Sequence, residues 1–325
     1  MKAWVYTRYG QPEEVLTRQD IPKPNPGDNE VLVKLKAVSL NGSDWEILTA
    51  KPAYSRIFGL LRPRIQTLGS DIAGVVEAVG SKVTRFQVGD AVFGDTFETF
   101  GGFAEYLCTD ENKLLHKPDT LSFADAASLP QGGTIALQGL RHGDKSLKDR
   151  KVMINGAGGS AGAFAVQLAK MYGATVTGVD NGGKLDLMRS LGADKVIDYT
   201  CEDFAKQKDR YDLTFDMVAH RSLFDHLKVL KPAGKYIMAG GAVPRLFQTL
   251  IIGPLVSLFT KKSAKVLGLQ QNITDMKHMA DLVETGKIRP RLDCSFSFNE
   301  VPAALRHLGD RKALGKAWIN FDSLE

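Results

Sequence analysis

The sequence predicts an α/β fold in which a doubly wound, six-stranded parallel sheet is inserted into a β-rich domain. Three observations lead to this prediction. The chain has 325 residues, more than one typical core needs, which favours two domains. Its first part consists of short alternating apolar segments, and its middle alternates strands with amphipathic helices. Its last part returns to the β-rich pattern, so we predict one domain from 1–125 and 270–325 and a second from 126–269.

The predicted β-rich domain is built from short strands separated by turn residues. Alternating apolar segments run from Val31 to Val38 and from Ile72 to Val79. After 270, one amphipathic helix precedes strand-like segments at 296–298 and 317–321. These tail strands resemble the first part of the chain, so we expect them to pack with it.

The middle of the chain carries six predicted strands with amphipathic segments between them. The predicted strands are 151–155, 174–180, 195–199, 212–218, 234–240 and 264–269. Strands that alternate with amphipathic helices in this way are typical of a doubly wound parallel sheet. In such a sheet, ligands bind beyond the carboxyl ends of the strands.

The first of these strands runs into a glycine-rich turn that opens a helix. The helix from Ser160 carries an apolar stripe suited to packing on a sheet. Such a turn leaves backbone N–H groups at the positive end of a helix dipole, where a pyrophosphate binds. The candidate dinucleotide-binding residues of this turn are Gly156, Ala157, Gly159, Ser160, Ala161 and Gly162. A glycine turn without a ligand is the alternative interpretation.

The end of the second strand gives conflicting signals about the adenosine ribose. An acidic residue here binds both ribose hydroxyls, whereas a cationic residue accommodates a 2′-phosphate. Asp180, followed by Asn181, favours the free ribose, while Lys184 and Tyr199 favour the phosphate. Alternatively, Lys184 is a solvated helix residue and Tyr199 a strand-end aromatic residue.

The composition excludes several classes of function. Apolar residues make up 43% of the chain and charged residues 24%, as in ordinary soluble proteins. The net charge of +5 comes without a long basic run, so no nucleic-acid partner is expected. Three cysteines lie far apart without a CxxC pair, and the first residues lack the apolar core of a signal peptide, so we expect a cytoplasmic protein.

One apolar segment, Leu246 to Phe259, needs an interpretation of its own. It is shorter than a membrane span requires and contains Gly253 and Pro254, so we predict no membrane span. A core helix or a subunit interface is expected instead. Peripheral membrane contact is the alternative, because Lys261 and Lys262 follow directly.

Several motifs in the same order resemble one known family. The chain reads Leu-Gly-Ser-Asp-Ile-Ala-Gly at 68–74, Val-Gly at 79–80, then the glycine turn, then Ser-Leu-Gly-Ala-Asp-Lys-Val-Ile-Asp-Tyr at 190–199. Over essentially its whole length it resembles the zinc-free quinone oxidoreductase branch of the medium-chain dehydrogenase/reductase superfamily. The resemblance implies a Rossmann nucleotide-binding domain inserted into a GroES-like catalytic domain. It also implies a homodimer joined through the sixth strands.

The resemblance further implies a nicotinamide cofactor. In relatives that use NADPH, a lysine and a tyrosine at the spacing of Lys184 and Tyr199 hold the 2′-phosphate, which favours NADPH. Asp180 departs from that pattern and leaves NADH open. Backbone at the ends of the fifth and sixth strands is expected beside the nicotinamide, and the residues concerned are Gly240, Gly241, Leu267 and Leu269.

The resemblance also implies that no metal takes part in the reaction. Zinc relatives place a cysteine, a His-Glu pair and a second cysteine around a catalytic ion. The corresponding places here hold Asn41, Ser70 with Asp71, and the Pro130–Gln131 neighbourhood. Amide and hydroxyl groups are poor zinc ligands, and the six histidines show no metal-binding spacing.

Without a metal, a conjugated acceptor is easier to reduce than a simple ketone, because the incoming charge spreads through its π system. By resemblance the acceptor lies over the nicotinamide near Asn41, Asp44 and a turn at 132–134. We predict that Asn41 donates to the acceptor carbonyl, that Thr134 positions the acceptor or donates in turn, and that Asp44 belongs to the same catalytic group. The alternative is that these are loop residues satisfying their own backbone. Glu46 stands where relatives often have a tyrosine, so a tyrosine proton donor is not expected.

The sequence thus predicts a zinc-independent, NAD(P)H-dependent reductase that transfers hydride to quinones or activated α,β-unsaturated carbonyls. Two alternatives stay open. One is an enoyl or alkenal double-bond reductase with the same cofactor, and the other is a non-catalytic NADPH-binding protein of the crystallin type.

Overall fold

The computed structural model describes residues 1–143 and 146–321, which form two compact units. The first unit comprises Met1–Gln131, Gln271–Gly286 and the chain from Leu292, and the second comprises Gly132–Gln270 with Lys287–Arg291. Relative to the predicted limits, residues 126–131 lie in the first unit, and residue 270 and residues 287–291 lie in the second. The predicted limit at 325 lies outside the described residues.

The strands of the described residues are, in chain order, β1 (Lys2–Val5), β2 (Thr17–Asp20), β3 (Glu30–Ser39), β4 (Asp71–Val79), β5 (Ala91–Asp95), β6 (Tyr106–Asp110), β7 (Leu114–His116), β8 (Lys151–Asn155), β9 (Thr175–Asp180), β10 (Lys195–Asp198), β11 (Tyr211–Asp216), β12 (Leu230–Met238), β13 (Ser263–Val266), β14 (Leu292–Ser297) and β15 (Lys316–Asn320).

The α-helices of the same residues are α1 (Pro12–Val15), α2 (Gly42–Thr49), α3 (Phe123–Ser128), α4 (Pro130–Gly143), α5 (Ser160–Met171), α6 (Leu185–Ser190), α7 (Leu223–Val229), α8 (Val243–Phe259), α9 (Ile273–Glu284) and α10 (Val301–Gly309). Short 3-10 helices cover Ala53–Phe58, Glu111–Lys113, Gly182–Lys184, Phe204–Lys206 and Phe298–Glu300.

The sheet of the second unit is parallel throughout, in the order β10-β9-β8-β11-β12-β13. Its central strands are apolar and buried on both faces, as parallel strands covered by helices are. The strand order reverses between β8 and β11, and a ligand binds at such a point beyond the carboxyl ends of the strands. The predicted doubly wound sheet is confirmed.

Two of the predicted strand limits differ from the observed ones by three residues or more. The sixth strand ends at Val266, so Leu267 and Leu269 follow the strand, and the N–H of Leu267 makes one last bond to Met238 O at 2.7 Å. The fifth strand begins at Leu230 instead of 234, because Leu230 already pairs with Tyr211 before the register shifts.

The first unit is organised around a seven-stranded sheet. β3 pairs with β4, β6 and β15, and β4 continues through β5 to β7. Buried β-branched and aromatic residues such as Val33, Ile72 and Phe103 form its core. The pairing of β15 with β3 shows that the tail strands pack with the first part of the chain, as the alternating pattern predicts.

Helix α8 has an exposed apolar face. Ile251 is 65% exposed, Leu258 74% and Phe259 79%, whereas Thr249 and Gly253 are buried. The core-helix interpretation therefore holds only for the side of Thr249 and Gly253. In the described part of the chain, no helix combines the length and apolarity that crossing a bilayer requires.

Candidate active site

The glycine turn after β8 is shaped by close backbone contacts. Gly156 has a φ of +89°, which side chains disfavour, and its N–H donates to Val179 O at 2.8 Å. A Cβ at Gly162 would lie 2.1 Å from Gly156 O, so α5 packs directly against the turn. Ala157 is fully buried under the turn. The structure thus has the strand, turn and helix that the motif predicts.

The N-terminus of α5 carries polar groups without partners. Its N-cap, Gly159, has no side chain to accept from the first turn. The Ser160 Oγ is buried and has no hydrogen-bond partner among the described residues, and Ala161 beside it is half-buried. The N–H groups of a first helical turn and an unpaired hydroxyl are donors that a phosphate accepts. This donor set fits the pyrophosphate of a dinucleotide.

Asp180 and Lys184 form a buried ion pair beside the turn. Both residues are 7% exposed, and the Lys184 Nζ lies 3.8 Å from Asp180 Oδ1. The carboxylate also accepts from the N–H of Gly158 and the N–H of Asn181, each at 2.9 Å. A Cβ at Gly158 would lie 2.6 Å from Lys184 Cβ, so the lysine stem packs on the turn. The acid and the cation that give conflicting signals in the sequence therefore face each other in the structure.

Asn181 and Tyr199 complete this group. The Asn181 side chain accepts from the Gly183 N–H at 3.1 Å and caps the short helix that carries Lys184. The N–H of Tyr199 donates to Asp180 O at 3.1 Å, and the Tyr199 ring is 45% exposed. The structure brings all four predicted ribose-end residues together, with the aromatic ring open to a ligand.

The ends of β12 and β13 place four more predicted residues at the same edge of the sheet, because all six strands are parallel. Gly241 has a φ of +122°, and a Cβ there would lie 2.5 Å from Ala219 Cβ, so only glycine fits. A Cβ at Gly240 would meet only Met217 O, at 3.8 Å. Leu267 is half-buried and Leu269 is 37% exposed.

In the first unit, Asn41 and Asp44 form a capping box at the start of α2. The Asn41 N–H donates to Asp44 Oδ2 at 2.8 Å, and the Gly69 N–H donates to Asp44 Oδ1 at 3.0 Å. Burial raises the pKa of the Asp44 carboxyl to about 7, although both N–H groups act to lower it. Because each carboxylate oxygen of Asp44 accepts a backbone N–H, Asp44 stabilises the loop that carries Asn41.

Thr134 is buried inside α4, in the second unit. The predicted turn at 132–134 is wrong, because Pro130 begins a helix that runs through these residues. A Cβ at Gly132 would lie 2.8 Å from Ser160 Oγ, which places the start of α4 next to the glycine turn.

Sequence reasoning missed Lys316, the first residue of β15. Its side chain is 1% exposed, its Nζ lies 3.1 Å from Asp71 Oδ2, and it donates to Asn41 Oδ1. The Asn41 Nδ2 in turn donates to Ser70 Oγ at 3.3 Å. The available signal was a lysine at the start of an apolar strand, a position where a charged side chain needs a buried partner.

The alcohol dehydrogenase GroES-like domain family matches residues 27–119, and the zinc-binding dehydrogenase family matches residues 191–317. The 2-methylene-furan-3-one reductase of Solanum lycopersicum is 33% identical over 98% of this chain and 79% of its own. The chloroplastic NADPH-dependent alkenal/one oxidoreductase of Arabidopsis thaliana is 34% identical with the same coverage. The structure of the quinone oxidoreductase from Coxiella burnetii matches with a TM-score of 0.87 and 28% identity over 99% of each chain.

This chain is a quinone-oxidoreductase-like member of the medium-chain dehydrogenase/reductase (MDR) superfamily.

The predicted family is confirmed, and with it the class of enzyme. The MDR protein is an oxidoreductase of a family that depends on nicotinamide dinucleotides. The glycine turn and the unpaired Ser160 Oγ, described above, fit such a cofactor.

The residues that stand at the zinc-ligand places of other MDR enzymes do not fit a zinc ion. Asn41 and Gln131 offer amide oxygens and Ser70 a hydroxyl, none of which is a preferred zinc ligand. The one carboxylate, Asp71, faces the Lys316 ammonium, whose charge repels a dication. The cysteines at 108, 201 and 294 do not contribute to this group.

Another group of ligand types lies elsewhere in the first unit. Asp293, Cys294 and His307 bring three such atoms within 4.8 Å of one another, and Cys294 is exposed. His307 Nε2 already pairs with Asp293 Oδ2 at 2.8 Å. No spacing in the sequence indicates this group, because His307 lies on α10 and the other two residues lie on β14.

Proposed function

We propose that this MDR protein binds NADPH and reduces quinones or activated α,β-unsaturated carbonyls without zinc. The observation that carries the proposal is the buried Asp180–Lys184 pair beside the glycine turn. The Asp180 carboxylate accepts from Gly158 and Asn181 and faces the Lys184 ammonium, so both of its oxygens already have partners within the protein, whereas in NAD-dependent sites an acid at this position binds the ribose hydroxyls. That arrangement favours NADPH over NADH.

Each part of the cofactor has candidate partners at the carboxyl edge of the parallel sheet. The N–H groups of Ser160 and Ala161, with the Ser160 Oγ, hold the pyrophosphate, and Gly159, whose own N–H donates to Gly156 O at 3.1 Å, lets the phosphate approach the backbone. Lys184 and Tyr199 hold the 2′-phosphate, and the ends of β12 and β13 flank the nicotinamide. When bound, the cofactor supplies the hydride, and the protein supplies orientation and exclusion of water.

The acceptor side of the proposal rests on a neutral donor. Asn41 donates an amide N–H to the acceptor carbonyl, where negative charge develops as the hydride arrives. A quinone or enone spreads that charge over its π system, and solvent provides the proton that completes the reduction. Asp44 holds the loop that carries Asn41, and Thr134 orients the acceptor or donates a second hydrogen bond.

The proposal includes a homodimer in the cytoplasm. Within the described residues β13 pairs only with β12, so it forms an open sheet edge, and the exposed apolar face of α8 follows the same part of the chain. A second copy joined at this edge covers both features. The cytoplasm is supported by the three cysteines, which are all free thiols.

The test is stopped-flow oxidation of NADPH and of NADH by a quinone series and an enone series, with and without a chelator. We expect faster oxidation of NADPH and no effect of the chelator. Turnover of enones alone identifies an alkenal-type double-bond reductase, as the names of two relatives favour. Tight NADPH binding without oxidation by any acceptor contradicts the proposal and indicates a non-catalytic binding protein.

A further inference from the structure

Lys316 is the buried cation of the first unit's polar cluster, which we define as Asn41, Ser70, Asp71, Gln131 and Lys316. β15 pairs with β3 in antiparallel fashion, with Trp318 opposite Ser39. This register carries Lys316 past the end of β3, to the point where the chain reaches Asn41. The long side chain then reaches into the cluster, where its Nζ donates to both Asn41 Oδ1 and Asp71 Oδ2.

The carboxylate of Asp71 holds the ammonium in place. Asp71 is fully buried, and besides Lys316 it accepts from the Gln131 N–H, which lies 3.2 Å from both of its oxygens. Gln131 Oε1 accepts from Ser43 Oγ at 3.2 Å, so the neighbouring amide is fixed as well. A buried carboxylate with a paired ammonium and backbone donors is stable only as a complete set, because removal of one partner leaves an uncompensated charge.

The ammonium is one of two groups that fix which way the Asn41 amide points, the other being the capping box, in which the Asn41 side chain accepts from the Asp44 N–H. A lysine can only donate hydrogen bonds, so it selects the amide oxygen and turns Nδ2 away from itself. Within the described residues Nδ2 makes one hydrogen bond, to Ser70 Oγ, and its second N–H has no partner. A cation on the oxygen of an amide also draws electrons from its nitrogen, which makes the N–H groups stronger donors.

We propose that Lys316 is a positioning residue that orients and polarises the Asn41 amide toward the acceptor carbonyl, and so performs through a hydrogen-bond relay what the metal does in zinc MDR enzymes. This inference rests on the proposed function, because it requires an acceptor whose carbonyl oxygen accepts a hydrogen bond from Asn41 Nδ2. The relay runs from Asp71 through Lys316 to Asn41, and no proton leaves Lys316 during the reaction. Charge that develops on the acceptor oxygen is stabilised by an amide whose other end contacts an ammonium.

A purely structural role for Lys316 predicts different behaviour. The double variant Lys316→Met with Asp71→Asn removes both charges of the ion pair together, so neither of the two is left buried without its partner and the fold is retained. If the ion pair only stabilises the protein, the double variant keeps its activity. If Lys316 acts through Asn41, the double variant folds and binds NADPH as before, but turns over slowly.

The experiment is a double-mutant cycle between Asn41→Ala and the charge-free pair. We expect kcat to fall about 10- to 100-fold in the charge-free pair, with an unchanged Kd for NADPH, because a neutral donor loses its polarisation. In the Asn41→Ala background the charge-free pair should then change kcat by less than about twofold, since the relay is already broken. Lys312→Met, at an exposed lysine paired with Asp310, is the matched control and should leave kcat unchanged.

Two results overturn the inference. One is a charge-free pair whose kcat stays within about fivefold of that of the unmodified protein. The other is a charge-free pair that lowers kcat by the same factor in the Asn41→Ala background as in the unmodified protein. A side-chain amide NMR spectrum gives a readout without turnover, since loss of the ammonium should shift the Asn41 Nδ2 resonances and their solvent exchange. An unmodified protein that oxidises no acceptor refutes the proposed function, whereas unshifted Asn41 resonances in the charge-free pair refute the role of Lys316.

Discussion

The Gly158 N–H donates to Asp180 Oδ2 at 2.9 Å, and this bond ties the end of β9 to the glycine turn after β8. An acidic residue at this strand end commonly faces the ribose of a bound dinucleotide. In this protein it faces the turn and the Lys184 ammonium instead. The proposed function assigns the cofactor's 2′-phosphate to Lys184 and Tyr199, and the preference between NADPH and NADH tests that assignment.

Replacing Lys184 with Met should weaken NADPH binding far more than NADH binding. Loss of a charge-assisted contact to a phosphate predicts an increase of about 10- to 100-fold in the Kd for NADPH, and a change of less than about threefold for NADH. Fluorescence titration of both cofactors measures the ratio. Lys170→Met removes a lysine of α5 that pairs with Asp194, and serves as the control. Equal losses for the two cofactors contradict the assignment.

Gly162→Ala should disrupt the glycine turn. The new methyl would lie 2.1 Å from Gly156 O and 2.7 Å from Ala157 Cα, and this contact is with backbone that cannot move without changing the turn. We expect a loss of about 1–3 kcal/mol in the free energy of unfolding, together with weaker NADPH binding. Gly268→Ala, where nothing lies within 4 Å, is the control for stability. Equal stability of the two variants in urea unfolding would argue against the packed turn.

Lys316→Met alone should destabilise the first unit. It leaves the Asp71 carboxylate buried without its ammonium, and breaking such a pair costs about 3–5 kcal/mol. Adding Asp71→Asn should restore most of that loss. Chemical denaturation of the single and double variants measures both values, and a single variant as stable as the unmodified protein would show that the pair is not needed for folding.

Stability in acid should depend on Asp216, which lies fully buried at the end of β11. Burial by itself raises its pKa, but the charge and hydrogen bond of His226, whose Nε2 lies 2.9 Å away, and the N–H groups of Ala219 and Val218 outweigh that effect and lower the pKa to about 2. Since this pKa lies below the ordinary aspartate value of 3.8, the ionised group stabilises the fold fully above about pH 4. The stabilisation, about 2 kcal/mol, is lost as the pH falls through 2.

The comparison with Asp216→Asn isolates this contribution. The difference in unfolding free energy between the two proteins should shrink as the pH falls from about 4 toward 2, because only one of them has a carboxyl at this position that is protonated there. Urea unfolding across this range measures it. A difference that does not depend on pH would mean that the carboxyl of Asp216 is not ionised in the folded protein.

Charged residues on the exposed face of α8 should dissociate the proposed dimer. Ile251→Glu with Leu258→Glu places two carboxylates on apolar positions that are 65% and 74% exposed in the single chain. Sedimentation velocity should show a shift from dimer to monomer, with little change in thermal stability of the monomer. Val88→Glu, at a 64% exposed apolar residue of the first unit, is the control. A protein that is monomeric before any substitution refutes the dimer.

Much of the fold was predictable because the signals are local. The alternation of strands and helices and the glycines after β8 identify the doubly wound sheet, since close turns require residues without side chains. The predicted turn at 132–134 was wrong for a similarly local reason, because glycines suggest a turn, while Pro130 and the following apolar residues sustain a helix. The orientation of Asp180 was not predictable, since it depends on a hydrogen bond that Asp180 accepts from Gly158, in the turn after the neighbouring strand β8.

By itself, the sequence determined the order of elements, the family, and the residues that gather at the carboxyl edge of the parallel sheet, because strand direction and glycine positions follow from the chain alone. Only the tertiary structure decided which buried polar and charged side chains contact each other. Asn41, Asp71 and Lys316 lie far apart in the sequence, and their contact depends on the register of β15 against β3. A buried ammonium needs partners in three dimensions, and no pattern along one strand specifies where those partners come from.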